Sequence, residues 1–196
     1  MASKSLTQQY PQVFLSAEQI HKRVQEMGKQ ITKDFQGKTV YVVCVLENGF
    51  IFVADLLREL DVPVICQFVK PWSTQSSDHT TEIFYSPEVA VEGQNVLLVE
   101  ALVQSGVTTE FLMRNLMGRG ASSVKLAALL DKQSARRVSL QPDYYGFLLN
   151  ESFVVGYGLG GSHLGRNLPY IAVGQEQAEG ARDFGMRPTP RNANEV

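Results

Sequence analysis

Apolar residues along this chain follow two rhythms. From residue 16 to 31, Ile20, Val24, Met27 and Ile31 recur every three or four positions with charged residues between them, which predicts an amphipathic helix. Ser16-Ala-Glu-Gln19 has the form of a capping box at its start, and Gly37 closes the region. Residues 39–46 (TVYVVCVL) are instead a continuous run rich in β-branched side chains, the pattern of a strand covered on both faces. A helix from about residue 49 to 60 and a second strand over 62–69 complete a strand–helix–strand crossover. The polar, turn-forming stretch 70–81 reads as a long loop, with residues 82–85 beginning a short hairpin. The alternation then resumes. Residues 96–99 form a second buried strand, followed by a helix with Phe111, Leu112, Leu116 and Met117 on one side and Glu110, Arg114 and Asn115 on the other. Further strands are expected at 124–130, 144–149, 153–157 and 170–173. Strands alternating with helices predict an α/β protein with an open, mainly parallel sheet flanked by helices.

Composition bounds this picture. With 196 residues, 44% hydrophobic and 19% charged, the chain can bury one sizeable core, so a single domain over 1–173 is expected. Residues 174–196 hold Pro188, Pro190 and several Gly and Asn, and read as a flexible C-terminal tail. A net charge of −2 with no basic stripe argues against nucleic acid as a partner. Residues 1–10 lack the apolar stretch of a signal peptide, and no run approaches the length of a membrane span. Cys44 and Cys66 lie in strand-like runs and read as buried free thiols of a reducing compartment, so a cytoplasmic location is expected. His21, His79 and His163 show no ligand spacing, and no metal is assigned to them.

The candidate chemistry sits where the strand at 96–99 meets its helix. Gln104-Ser105-Gly106-Val107-Thr108-Thr109 offers backbone N–H groups at a helix N-terminus, three hydroxyls, and a glycine that allows close approach. That set suits a phosphate, and it equally suits a hydroxyl-capped helix start.

Residues 96–109 resemble the phosphoribosyl diphosphate signature of type I phosphoribosyltransferases: an apolar strand ending in two acids, two apolar residues, an Asp, Thr/Ser-Gly, one residue, and Thr. Glu100 matches the first acid; Ala101 replaces the second and Gln104 the Asp, while Ser105, Gly106 and Thr108 match the phosphate-holding end. The likeness is strongest to the hypoxanthine-guanine branch. It extends over roughly 16–173 through residues 43–57, 124–133, 142–147 and 153–159. It implies the family fold with a small hood, self-association into a homo-oligomer, a purine or nucleotide as small-molecule partner, and Mg²⁺ as cofactor if the chain is catalytically active.

Position by position, the resemblance divides the site. Ser105, Gly106, Val107, Thr108 and Thr109 fall on the phosphate-binding turn, Lys132 on the lysine that addresses the purine O6, Phe153 on the aromatic stacked on the ring with Val154 beside it, and Arg166 on a diphosphate-facing arginine. Glu100 and Gln104 take the catalytic positions, but Gln104 cannot accept the proton that an Asp would; losing a general base costs about 10²–10⁴ in rate. Gly160 stands where a metal-binding Asp is expected, and Lys70-Pro-Trp-Ser-Thr74 where the family's closing loop carries a Ser-Tyr pair. The diphosphate turn reads Glu47-Asn48-Gly49, with a cis peptide implied at Leu46-Glu47. Two like unit charges about 4 Å apart repel by roughly 4 kcal/mol at an effective dielectric near 20, so Glu47 is expected to oppose an anionic leaving group. The sequence therefore points to a protein that binds a purine nucleoside 5′-monophosphate, with transfer weak or lost. A competent 6-oxopurine transferase, with Glu100, Glu47 or Asp131 in displaced roles, and a non-enzymatic nucleotide-sensing module are the alternatives.

Overall fold

The computed structural model of the chain describes residues 6–75, 81–84, 90–151, 153–160 and 164–174. In chain order its elements are α1 (Leu6–Gln9), β1 (Val13–Leu15), α2 (Ala17–Asp34), β2 (Val40–Val45), α3 (Phe50–Arg58), β3 (Val64–Val69), β4 (Trp72–Gln75), β5 (Thr81–Phe84), β6 (Asn95–Val103), α4 (Val107–Gly118), β7 (Ser123–Asp131), β8 (Tyr144–Leu148), β9 (Val154–Val155) and β10 (Ile171–Val173). The capping box forms as its residues dictate: Gln19 N–H donates to Ser16 Oγ at 3.2 Å and Ser16 N–H to Gln19 Oε1 at 2.8 Å.

The central sheet runs β3-β2-β6-β7-β8, and every pairing in it is parallel. Its central strands β2, β6 and β7 are apolar on both faces because both are covered, whereas the edge strands β3 and β8 leave Ile65, Phe68, Tyr145 and Leu148 exposed. On one face Val42, Cys44, Leu97 and Val99 meet Ile20, Val24, Met27 and Ile31 of α2 and Phe52 and Leu56 of α3. On the other, Val43, Val96 and Leu98 meet Leu112 and Leu116 of α4. A smaller antiparallel sheet, β1-β10-β9, joins the two ends of the described chain and shares the first core through Leu15, Val154 and Ile171.

Chain order fixes where a ligand crevice falls. From β2 the chain moves outward to β3, whereas from β6 it moves the opposite way to β7, so the direction of winding reverses between β2 and β6. In open parallel sheets the crevice at the carboxyl ends of such a strand pair is the habitual ligand site.

Some expectations need correction. Residues 72–75, assigned to a loop, form β4 and pair antiparallel with β5; the register comes from a partner strand, which local composition does not reveal. Phe111 and Met117 are 39% and 49% exposed, so the buried stripe of α4 is Thr109, Leu112 and Leu116, narrower than the apolar pattern implied. The strand at 96–99 extends to Val103, and the strand at 153–157 shrinks to two residues because Gly156, Tyr157 and Gly158 adopt positive φ. Cys44 is buried but Cys66 is only half-buried; both are free. The tail at 175–196 lies outside the described residues. No helix among the described residues is long and apolar enough to cross a membrane.

Candidate functional site

The turns after β2, β6 and β7 share the carboxyl edge of the sheet. Gly106, in the left-handed region at φ +76°, starts α4. A Cβ there would lie 2.9 Å from Val138 Cγ2 and 3.1 Å from both Cδ and Nη1 of Arg136, so only glycine fits. The neighbouring segment grips this turn through the backbone: Lys132 N–H donates to the Val103 carbonyl and Arg137 N–H to the Ser105 carbonyl, each at 2.9 Å. Val107 N–H points at Ser105 Oγ from 3.4 Å.

Behind the turn is a buried charge cluster. Asp131 is 1% exposed and is held by Arg136, in an ion pair, and by Gln133 Nε2 at 3.1 Å. Arg136 Nη1 is enclosed with no hydrogen-bond partner, as is Oε1 of the half-buried Glu100. Burial pushes the Glu100 carboxyl up to about 7, against the opposing pull of the Thr109 hydroxyl and the Arg136 charge. Thr109 itself is 3% exposed, so its hydroxyl faces the interior while its N–H remains part of the helix start. Ala101, at the position of the second acid, is packed in the α2/α3 core.

Across the crevice, Leu46-Glu47 is a cis peptide. Glu47 and Arg166, both expected on the diphosphate side of the site, meet each other there. Glu47 Oε2 accepts from Arg166 Nη1 at 3.0 Å and Oε1 from Lys70 Nζ at 2.5 Å, because these cations are the nearest compensation for a carboxylate at this turn. Those two partners, Lys70 first, hold the Glu47 carboxyl below the usual range. Arg166 is fixed in turn by donating from Nε and Nη2 to the Gly160 carbonyl, at 3.3 and 3.2 Å. Its loop docks onto the Glu47 turn through Gly158, where a Cβ would sit 2.6 Å from the Asn48 carbonyl oxygen.

The structure therefore brings 104–109 and Lys132 together by backbone bonds, and Glu47 and Arg166 by an ion pair. Val154 belongs to the smaller sheet and is 5% exposed within the core, and the half-buried Phe153 just before it has its ring against Gly174. The pairing of Lys70 with Glu47 and the whole role of Arg136 have no counterpart among the sequence-based expectations. The only local trace of Arg136 is the Arg136-Arg137 doublet following Lys132, and nothing near Lys70 in sequence marks it as a partner of Glu47. As donors for a divalent cation, Glu100 is the one carboxylate among positions 100, 101 and 160, and the described residues contain no group of three or more His, Cys, Asp or Glu arranged to hold an ion. A protein-carboxylate cage for Mg²⁺ does not fit this set.

A winding reversal in a parallel sheet defines the open, doubly wound class of α/β protein, and within it the chain belongs to the phosphoribosyl transferase family: the model of the phosphoribosyl transferase domain matches residues 14–160. Within that family its relatives include hypoxanthine-guanine phosphoribosyltransferases. The one from Bacillus subtilis is 35% identical over 164 residues, covering 82% of this chain and 91% of its own. The crystal structure of a hypoxanthine-guanine phosphoribosyltransferase from Bacillus anthracis matches with a TM-score of 0.78 at 34% identity, over 85% of this chain and 99% of that one. A hypoxanthine phosphoribosyltransferase structure from Staphylococcus aureus matches with a TM-score of 0.83 at 28% identity, over 92% and 100%. The bifunctional protein TilS/HprT of Listeria innocua is 34% identical over 174 residues, and there the chain spans 27% of the relative's length.

Proposed function

We propose that this chain binds a purine nucleoside 5′-monophosphate in the β2/β6 crevice and transfers phosphoribosyl groups weakly or not at all. The 5′-phosphate is assigned to the N–H groups of Ser105, Gly106, Val107, Thr108 and Thr109 with the hydroxyls of Ser105 and Thr108, and the base to Lys132, Phe153 and Val154. The observation that carries this reading is an asymmetry between the two sides of the crevice. At 105–109 the start of α4 keeps its glycine and hydroxyls, whereas at the opposite turn Glu47 is paired with Lys70 and Arg166, the charges an anion would need. Gln104 in place of an Asp, and Ala101 turned into the core, support the same reading, since proton transfer and the grip on ribose hydroxyls both lose a carboxylate.

Calorimetric titration with inosine and guanosine 5′-monophosphates, and separately with phosphoribosyl diphosphate and Mg²⁺, tests it. Heat from the monophosphates and none from the diphosphate is the expected pattern; the converse overturns it. The names of the relatives favour a second reading, a working 6-oxopurine transferase whose Mg²⁺ would be carried largely by the diphosphate substrate. Steady-state turnover of hypoxanthine or guanine at an ordinary enzymatic rate, abolished by Glu100→Ala, would select that reading. Self-association, implied by the family resemblance, is a separate proposal that sedimentation measures directly.

A further inference from the structure

A carboxylate held by two cations at the mouth of a crevice is an anion already bound. Glu47 lies at the turn between β2 and α3, whose N-cap, Gly49, makes no side-chain cap bond. Lys70 arrives from the end of β3 and Arg166 from the loop before β10, 119 residues away in sequence, and both converge on this one side chain. Arg166 is oriented independently, through its bonds to the Gly160 carbonyl, and is only 18% exposed. It therefore presents its remaining nitrogen to the same point whichever anion stands there. Without Glu47, two convergent cations would border the start of α3 and attract a dense anionic group.

We infer that Glu47 is a specificity-determining residue, an internal counter-anion that fills the Arg166–Lys70 cradle and so excludes a second, pyrophosphate-type phosphoryl group from the crevice. The inference deepens the monophosphate reading and rests on it for the identity of the accepted ligand. An intramolecular carboxylate competes at high effective concentration, and it halves the cradle's charge contribution by leaving one net positive charge where two would stand. A diphosphate must displace it and then sit beside it. A monophosphate anchored at 105–109 need do neither.

Inorganic diphosphate, titrated by calorimetry with and without Mg²⁺ into the full chain, is the probe. Wild type is expected to bind it weakly. Glu47→Gln, which keeps the side chain's shape, is expected to bind it at least about tenfold more tightly, since removing one charge from a convergent set changes local anion affinity by this order. Glu47→Ala repeats the test without the amide, and circular dichroism verifies that each variant is folded. Adding Arg166→Gln to Glu47→Gln should abolish the gain, which locates it in the cradle. Equal diphosphate affinity in wild type and both single variants overturns the inference. So does tight Mg²⁺-dependent diphosphate binding by wild type that Glu47→Gln weakens, the signature of Glu47 as a cation ligand. Monophosphate titration of wild type reports separately on the reading beneath it.

Discussion

Glu100 illustrates how one side chain couples protonation to folding. In the unfolded chain its carboxyl ionises near the ordinary 4.5, and in the folded chain only at about 7, because one oxygen is enclosed without a partner. Between those values the folded state keeps a proton that the unfolded state has released. Stability contributed by this group is therefore full below about pH 4.5, declines as pH rises, and is lower by up to about 3 kcal/mol above pH 7. Glu100→Gln removes the ionisation. Urea unfolding should find the variant close to wild type at about pH 5 and more stable than wild type at about pH 8, by as much as that difference. A variant offset that does not change with pH would place the cost elsewhere. The residue type was legible in sequence, but its surroundings were not: the Thr109 hydroxyl reaches it from α4 and the Arg136 charge acts on it from the segment after β7.

Elements were most legible where local signals and tertiary need agree. Ser16 and Gln19 specify the α2 start within four residues, and the structure forms both capping bonds. Ser16→Ala should cost about 1 kcal/mol in urea unfolding, with the slope unchanged. A value near zero would mean that packing of Ile20, Val24, Met27 and Ile31 holds the helix end without the cap. The buried runs of β2, β6 and β7 were equally clear, since continuous apolar β-branched sequence has few other uses in a chain of this composition. Strand β4 was invisible because Trp-Ser-Thr-Gln carries no apolar alternation and its order comes from pairing with β5. The α4 stripe was read too broadly: Phe111 and Met117 flank the Thr109–Leu112–Leu116 line by about a hundred degrees on either side and miss the sheet. In the site, the 104–109 turn stood out as a local word, whereas the Glu47–Arg166 contact joins residues 119 apart and has no sequence signature.

At the scale of the molecule, two cores on opposite faces of one sheet leave only its edges for chemistry, and the winding reversal selects which edge. The nucleotide proposed for this crevice would touch the turns after β6 and β7, and its binding would thus be linked to the stability of the sheet. Guanosine 5′-monophosphate at a hundred times its dissociation constant should stabilise the folded state by about 2.7 kcal/mol, raising the melting temperature by roughly 5–10 °C for a chain of this size. An unmoved transition under those conditions would remove the nucleotide from consideration. The pair of backbone bonds from Lys132 to Val103 and from Arg137 to Ser105 has one more consequence. They tie two neighbouring loops together main chain to main chain, so the separation between the glycine turn and the Lys132 backbone follows from strand pairing and not from side-chain choice. Exchanging side chains along these loops would therefore leave that main-chain gauge as the strands set it.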